Sequence, residues 1–173
     1  IYGLDADLII LCLNHMHISK NIYLFRETPE FIKSLSSEIE PGELYLMKIE
    51  ELMYYILDKM MNDVKNPVKR IKDYVFIMFL LGNDFMPHFP SLNIRTHGIE
   101  MILETYKNVL GKKEMFLIEE GEIVWKHFRE LIEELSLMEL DNIKREYGIR
   151  NKREKKNYDT RISIKNHSDV EDN

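Results

Sequence analysis

The chain is poor in cysteine: Cys12 is the only one in 173 residues. That excludes an internal disulfide framework and any cysteine-based zinc cluster, and it points to a reducing intracellular compartment, cytoplasmic or nuclear, over secretion. No signal peptide is visible. The most apolar run, Tyr74 to Leu81, is far shorter than the roughly 20 residues that cross a bilayer, so no membrane partner is expected. An excess of positive charge is missing too. The formal net charge is −6, which argues against a generic non-specific nucleic-acid binder and leaves a metal site open. There is no internal repeat, and no initiating methionine. The chain begins at Ile1 inside an apolar pattern, so an N-terminal segment of the same domain is expected to be missing.

What is present suffices for a folded domain, with 45% apolar residues. Charge is segregated. Residues 144–173 hold nine Lys or Arg against six acidic residues, leaving 15 basic and 24 acidic in the rest. The predicted order begins with a strand end, a turn at Gly3 and an apolar run to Leu13, with a strand over Asn21 to Arg26. Pro29, three serines and Pro41-Gly42 mark a surface excursion. From Met47 the apolar spacing turns helical through Met60. Asn66-Pro67 supplies an N-cap and first-turn proline for a second helix, apolar on every side in its second half and so predicted to be central to the core. It ends at Gly82. A third helix follows Thr96 and ends at Gly111, two short extended pieces flank Gly121, and a fourth helix carries Trp125, Phe128, Leu131, Ile132, Leu135 and Met138 on an apolar face. Trp125 is expected in the core. After about Tyr147 the polar, charged composition predicts disorder.

Three acidic residues stand where the hydrophobic pattern predicts burial: Asp5 and Asp7, flanking Ala6, and Asp84, in LLGNDFMPHFPSL. Burying ionised carboxylates costs several kcal/mol without a compensating cation, and no Lys or Arg beside them supplies one. Oxygen ligands converging from separate elements suit magnesium or manganese. The bland readings stand beside this. Asp7 reads equally as a cap for the element that follows, and Asp84 as a stabiliser of the GNDF turn, where Asn83 satisfies backbone groups. His15 and His17 fall in a solvated loop. His88, between two prolines, either lines the cleft or is a hydrogen-bonded structural residue. Arg26, ending the apolar strand, pairs with an interior acid or meets a phosphate.

The segments IYGLDADLI, YLFRE and KRIKDYVFIMFLLGNDFMPHFPSL, in that order, closely resemble the Xrn family of processive exoribonucleases that degrade RNA from its 5′ end, over roughly residues 1–140. The resemblance implies an α/β fold: a partial FEN-like or PIN-like nuclease core followed by a mainly helical segment. Residues 1–27 would be the remnant of the core, 28–146 the helical domain with the GNDF motif, and 147–173 a basic, disordered tail. It also implies an acidic cluster holding two divalent metals, Mg2+ or Mn2+, matched here by Asp5, Asp7 and Asp84 as catalytic metal ligands. Arg26 and His88 are candidates for substrate contact, and Asp73 in KDYVF matches one of a paired acidic position with a structural role. The implied reaction is two-metal hydrolysis of RNA bearing a 5′ monophosphate. The family's other acidic ligands and its 5′-phosphate pocket would lie in an N-terminal half absent from these residues, so the chain alone is expected to be inactive. The competing readings are a structure-specific DNA nuclease of the FEN type and a non-catalytic RNA- or protein-binding module.

Overall fold

The computed structural model describes residues 1–28, 40–61, 65–94 and 96–171, with side chains as far as Tyr158. The predicted surface excursion lies largely outside them. The chain is mostly helical, with two small two-stranded antiparallel sheets. Strand character is concentrated before Ile49, where β1 (Tyr23–Glu27) pairs with β2 (Leu44–Lys48), Phe25 opposite Leu46. Residues 1–3 run parallel along the other side of β1: the Phe25 amide donates to the Ile1 carbonyl at 2.8 Å and the Gly3 amide to the Phe25 carbonyl at 3.1 Å.

Between these residues and β1 the chain forms α1 (Asp7–Asn14), which buries Cys12 and Leu13. The thiol of Cys12 is 1% exposed, and burial pushes its pKa up. Helix α2 (Ile49–Met60) begins directly after β2 and buries Ile49, Met53, Ile56, Leu57 and Met60, the three- and four-residue spacing seen in the sequence. The sequence gives no separate signal for β2, whose last two residues, Met47 and Lys48, fall where the helical spacing begins. Helix α3 (Pro67–Met78) starts with its proline in the first turn as expected, but Asn66 takes a left-handed conformation (φ 53°) and its side chain does not cap.

Helix α3 departs from the all-round burial predicted for it. Ile71 and Ile77 are buried, but Tyr74, Val75 and Met78 are only half-buried because that flank faces a cavity, and Phe76, half-buried too, packs edge-on against Phe128. A 3-10 turn, Phe79–Leu81, extends it to Gly82. Helix α4 (Gly98–Val109) buries Ile102, Leu103 and Tyr106 and ends against a second 3-10 turn, Gly111–Lys113. The two short extended pieces are β3 (Ile118–Glu119) and β4 (Glu122–Ile123). Glu120 and Gly121 between them both have positive φ, 52° and 87°, the requirement of the tightest hairpin turns.

Helix α5 (Trp125–Ser136) packs Leu131 and Leu135 inward. Trp125, expected in the core, is instead 66% exposed at the start of the helix, its ring edge-on to Phe128. The apolar face of α5 begins one turn later. The tail is a second correction: α6 runs Glu139–Glu171 where disorder was expected. Low hydrophobicity removed any sign of a buried face, but lysine, arginine and glutamate are good helix formers, no proline interrupts the segment, and Arg150 pairs with Glu154 one turn on at 3.0 Å.

A polar cluster ties the helices together. Asp73 and Arg70, both 0% exposed, lie one turn apart on α3, 3.9 Å from each other. The Asp73 carboxylate accepts the Tyr106 hydroxyl from α4 and the amides of Leu117 and Ile118, each at 2.9 Å, at the start of β3. Arg70 donates to the Tyr106 oxygen and to the Met115 carbonyl, with its guanidinium 4.1 Å from the Phe116 ring centroid. Asp73 is thus structural, as the resemblance implied. Burial raises its pKa, against the pull of Tyr106, the two amides and Arg70.

Burial, then the charge of Asp73, holds the Tyr106 phenol well above its ordinary value. A raised pKa in the folded state adds stability that is complete below the unfolded phenol's titration near pH 10 and lost as pH climbs past it. Tyr106→Phe is expected to cost about 1–3 kcal/mol at neutral pH, since Asp73 and Arg70 each lose a buried partner, and to flatten the fall in stability above about pH 10. Urea denaturation followed by circular dichroism across pH 7–11 checks both.

Candidate functional site

The first rim of the site is the turn entering α1. One Asp5 carboxylate oxygen accepts the Asp7 amide at 2.9 Å, closing a side-chain turn. Asp7 opens α1, where its charge meets the positive end of the helix. Behind this turn Arg26 donates from Nη2 to the Leu4 carbonyl at 2.8 Å. Arg26 therefore clamps the approach to Asp5 from β1, and no acid is among its described partners. Its Nε is buried with no partner among the described residues.

The second rim follows α3. Gly82 has φ 84°, and a Cβ there would stand 2.7 Å from the His88 backbone nitrogen, so only glycine fits. Asn83 closes the next turn: its side-chain oxygen accepts the amides of Phe85 (2.8 Å) and Met86 (2.9 Å), and its own amide donates to the Met86 carbonyl. This is the backbone role the sequence predicted for it. Asp84 is left at the exposed outer corner. The Nδ1 of His88 lies 2.8 Å from the Phe89 carbonyl, so the ring is held against its own chain. After α1, His15 and His17 likewise bond to preceding carbonyls, of Leu11 and Asn14.

The two rims meet at one cavity of about 300 Å³. Asp7 and Ile10 line it from α1, Tyr74 and Met78 from α3, and Gly82 and Asn83 from the turn. The cavity lining is mainly apolar, with Asp7, Asn83 and Tyr74 as its polar side chains. The structure thus gathers Asp7 and the neighbour of Asp84 around one opening.

Burial of the three aspartates is not what the structure shows. Asp5, Asp7 and Asp84 are all exposed. The reason is visible in their surroundings: Ile1, Tyr2 and Leu4 on one side, and Phe85 (92% exposed), Met86 and Phe89 on the other, are uncovered as well. The apolar pattern predicts burial, yet no described residue covers it. Among the described residues no group of three His, Cys, Asp or Glu side chains stands close enough to hold a metal ion. The donor type, though not the spacing of all three, suits a hard cation: they are carboxylate oxygens on fixed turns, and no salt bridge to Asp5, Asp7 or Asp84 is found among the described residues.

Residues 65–173 match the family model described as the Xrn1 helical domain. The chain belongs to the Xrn family. The matched residues of this Xrn chain run from just before α3 through α6 and include the Gly82 turn with Asp84. Similarity to individual Xrn proteins reaches further. The chain is 29% identical to 5'-3' exoribonuclease 2 of Kluyveromyces lactis, over 98% of its own length and 19% of that protein's. It is 32% identical to 5'-3' exoribonuclease 1 of Saccharomyces cerevisiae, over 84% of its length and 10% of that protein's, and 27% identical to 5'-3' exoribonuclease 2 of Arabidopsis thaliana, over 80% and 17%. The chain therefore spans between a tenth and a fifth of the length of these relatives. No helix among its described residues is long and apolar enough to cross a membrane.

The sequence places Asp84 at a break made by Gly82 and two prolines; the close approach of the His88 backbone, which excludes any side chain at Gly82, is visible only in the structure. Gly82→Ala is expected to destabilise the chain by about 1–3 kcal/mol, because the new methyl group meets the His88 nitrogen at a left-handed φ. Urea denaturation measures the cost, and loss of the Asn83 turn appears as shifted amide resonances over residues 83–86.

Proposed function

We propose that this chain forms part of a 5'-3' exoribonuclease that hydrolyses RNA phosphodiester bonds, with Asp5, Asp7 and Asp84 as metal-holding carboxylates. The observation that carries the reading is the shared cavity of Asp7 and Asn83, next to Asp84, in a chain whose relatives are 5'-3' exoribonucleases. The parallel pairing of Tyr2 with Phe25 supports a wider reading, in which residues 1–27 belong to a FEN-like or PIN-like core whose sheet continues beyond residues 1–3.

In this reading each residue has a defined task. Asp5 fixes the turn that aims Asp7 at the opening, while Arg26 anchors the same turn through Leu4. Gly82 and Asn83 fold the opposite turn so that Asp84 is presented at its corner. Magnesium or manganese bound by these carboxylates would supply positive charge beside the scissile phosphate and acidify a water, as in two-metal hydrolysis. The carboxylates position charge and do not attack. Three of them make an incomplete cage, so the remaining acidic ligands and the pocket for a 5′ monophosphate come from outside these residues.

The test is a chimera in which this chain replaces the matched region of the Saccharomyces cerevisiae 5'-3' exoribonuclease 1. It is expected to degrade 5′-monophosphorylated single-stranded RNA under magnesium, whereas the 173 residues alone are not. In the chimera Asp84→Asn should lower turnover by roughly 100-fold or more while RNA affinity is kept. Indifference to Asp84→Asn would identify a binding module, and preference for flap DNA a structure-specific DNA nuclease; either contradicts the reading.

A further inference from the structure

Helix α6 has a charge pattern that neither the cavity nor the core uses. Between Lys144 and Tyr158 it carries seven Lys or Arg against two Glu. At 100° per residue, Lys144, Arg145, Lys152 and Lys155 fall within an arc of roughly 100°, spread over about 16 Å of helix. All four are exposed.

The two glutamates sit on the other side. Glu146 is held by the body of the protein, accepting from Asn93 Nδ2 at 2.9 Å and from the Thr96 hydroxyl. On the same side Asn142 is buried and donates to the sulfur of Met101 at 3.0 Å. Glu154 pairs with Arg150 along the helix. The first two turns of the helix are therefore docked by one face, with Lys144 and Arg145 turned away from the body, and from Arg150 to Tyr158 every side chain is exposed. Beside that arc, eleven residues apart and so nearly in line, Tyr147 and Tyr158 are 60% and 65% exposed.

From this we infer that the Lys144–Arg145–Lys152–Lys155 face of α6 is a docking surface for the phosphate backbone of single-stranded RNA. The occupant follows from charge complementarity. The rest of the chain is acidic, with 24 Asp or Glu against 15 Lys or Arg before residue 144, so it repels a polyanion. A row of cations along a rod matches a strand of regularly spaced phosphates, and exposed tyrosines beside the row offer stacking surfaces for unpaired bases. The choice of RNA rests on the exoribonuclease reading above.

The test is equilibrium binding of a 3′-fluorescein-labelled, 20-nucleotide RNA to the full chain in EDTA, by anisotropy from 50 to 200 mM KCl. Each phosphate neutralised on a single strand contributes about −0.7 to the slope of log affinity against log salt. The combined variant Lys144→Gln, Arg145→Gln, Lys152→Gln, Lys155→Gln should therefore flatten that slope by roughly 2.8, equivalent to roughly a 50-fold smaller loss of affinity over the fourfold change in salt. Glutamine keeps helix propensity, and unchanged far-ultraviolet circular dichroism verifies folding. A control neutralising Lys20, Lys59, Lys113 and Lys126 removes the same charge from the body and should leave most of the slope in place. An equal effect of both variants, no effect of the α6 variant, or selective binding of phosphatidylserine vesicles in place of RNA would overturn the inference. Because no turnover is read, an inactive chimera with an intact α6 effect would count against the nuclease reading alone.

Discussion

The fold depends on one buried carboxylate. Asp73 has no exposed surface, and every strong contact it makes crosses from α3 to another segment: the Tyr106 hydroxyl on α4 and the Leu117 and Ile118 amides before the β3–β4 hairpin. Burying a charge is unfavourable unless its partners replace water, and here they do so only when α3, α4 and the 111–118 segment are assembled together. The direction of α3 is set by this constraint. Because the 3-10 turn that extends α3 stops at Gly82, the constraint also sets where the Asn83 turn emerges.

Arg70 completes the lock from the same helix. Its guanidinium covers the Phe116 ring and reaches the Met115 carbonyl, so the loop that follows α4 is held against α3 by charge, stacking and hydrogen bonds together. A rigid α3 matters for the site, since α1 supplies Asp7 and the end of α3 supplies Asn83, and both line one cavity. The candidate carboxylates are carried on turns, yet each turn is closed by a side chain: Asp5 on the Asp7 amide, Asn83 on the amides of Phe85 and Met86.

Much of this was legible in the chain itself, for identifiable reasons. Helices α2 and α5 declare themselves through apolar spacing, the hairpin through Gly121, and the Asn83 turn through Gly82 and two prolines. Other features required the third dimension. Exposure of Asp5, Asp7 and Asp84 depends on whether anything covers their apolar neighbours, which local pattern does not encode. Trp125 looked like core because of its type, but it begins its helix before the apolar face turns inward. The burial of Arg70 was hidden by its place in a run of basic residues, and α6 by a composition that sustains a helix without a buried face.

We propose a common divalent-cation position between the start of α1 and the turn after α3. Paramagnetic broadening by manganese measures this most directly, with the amide resonances of the full chain recorded as the ion is added. The account predicts that signals of residues 5–8 and 83–85 broaden together at the same low manganese concentration, and that Asp7→Asn weakens the effect at both places. Broadening confined to one of the two turns, or spread evenly over the acidic surface, would contradict it.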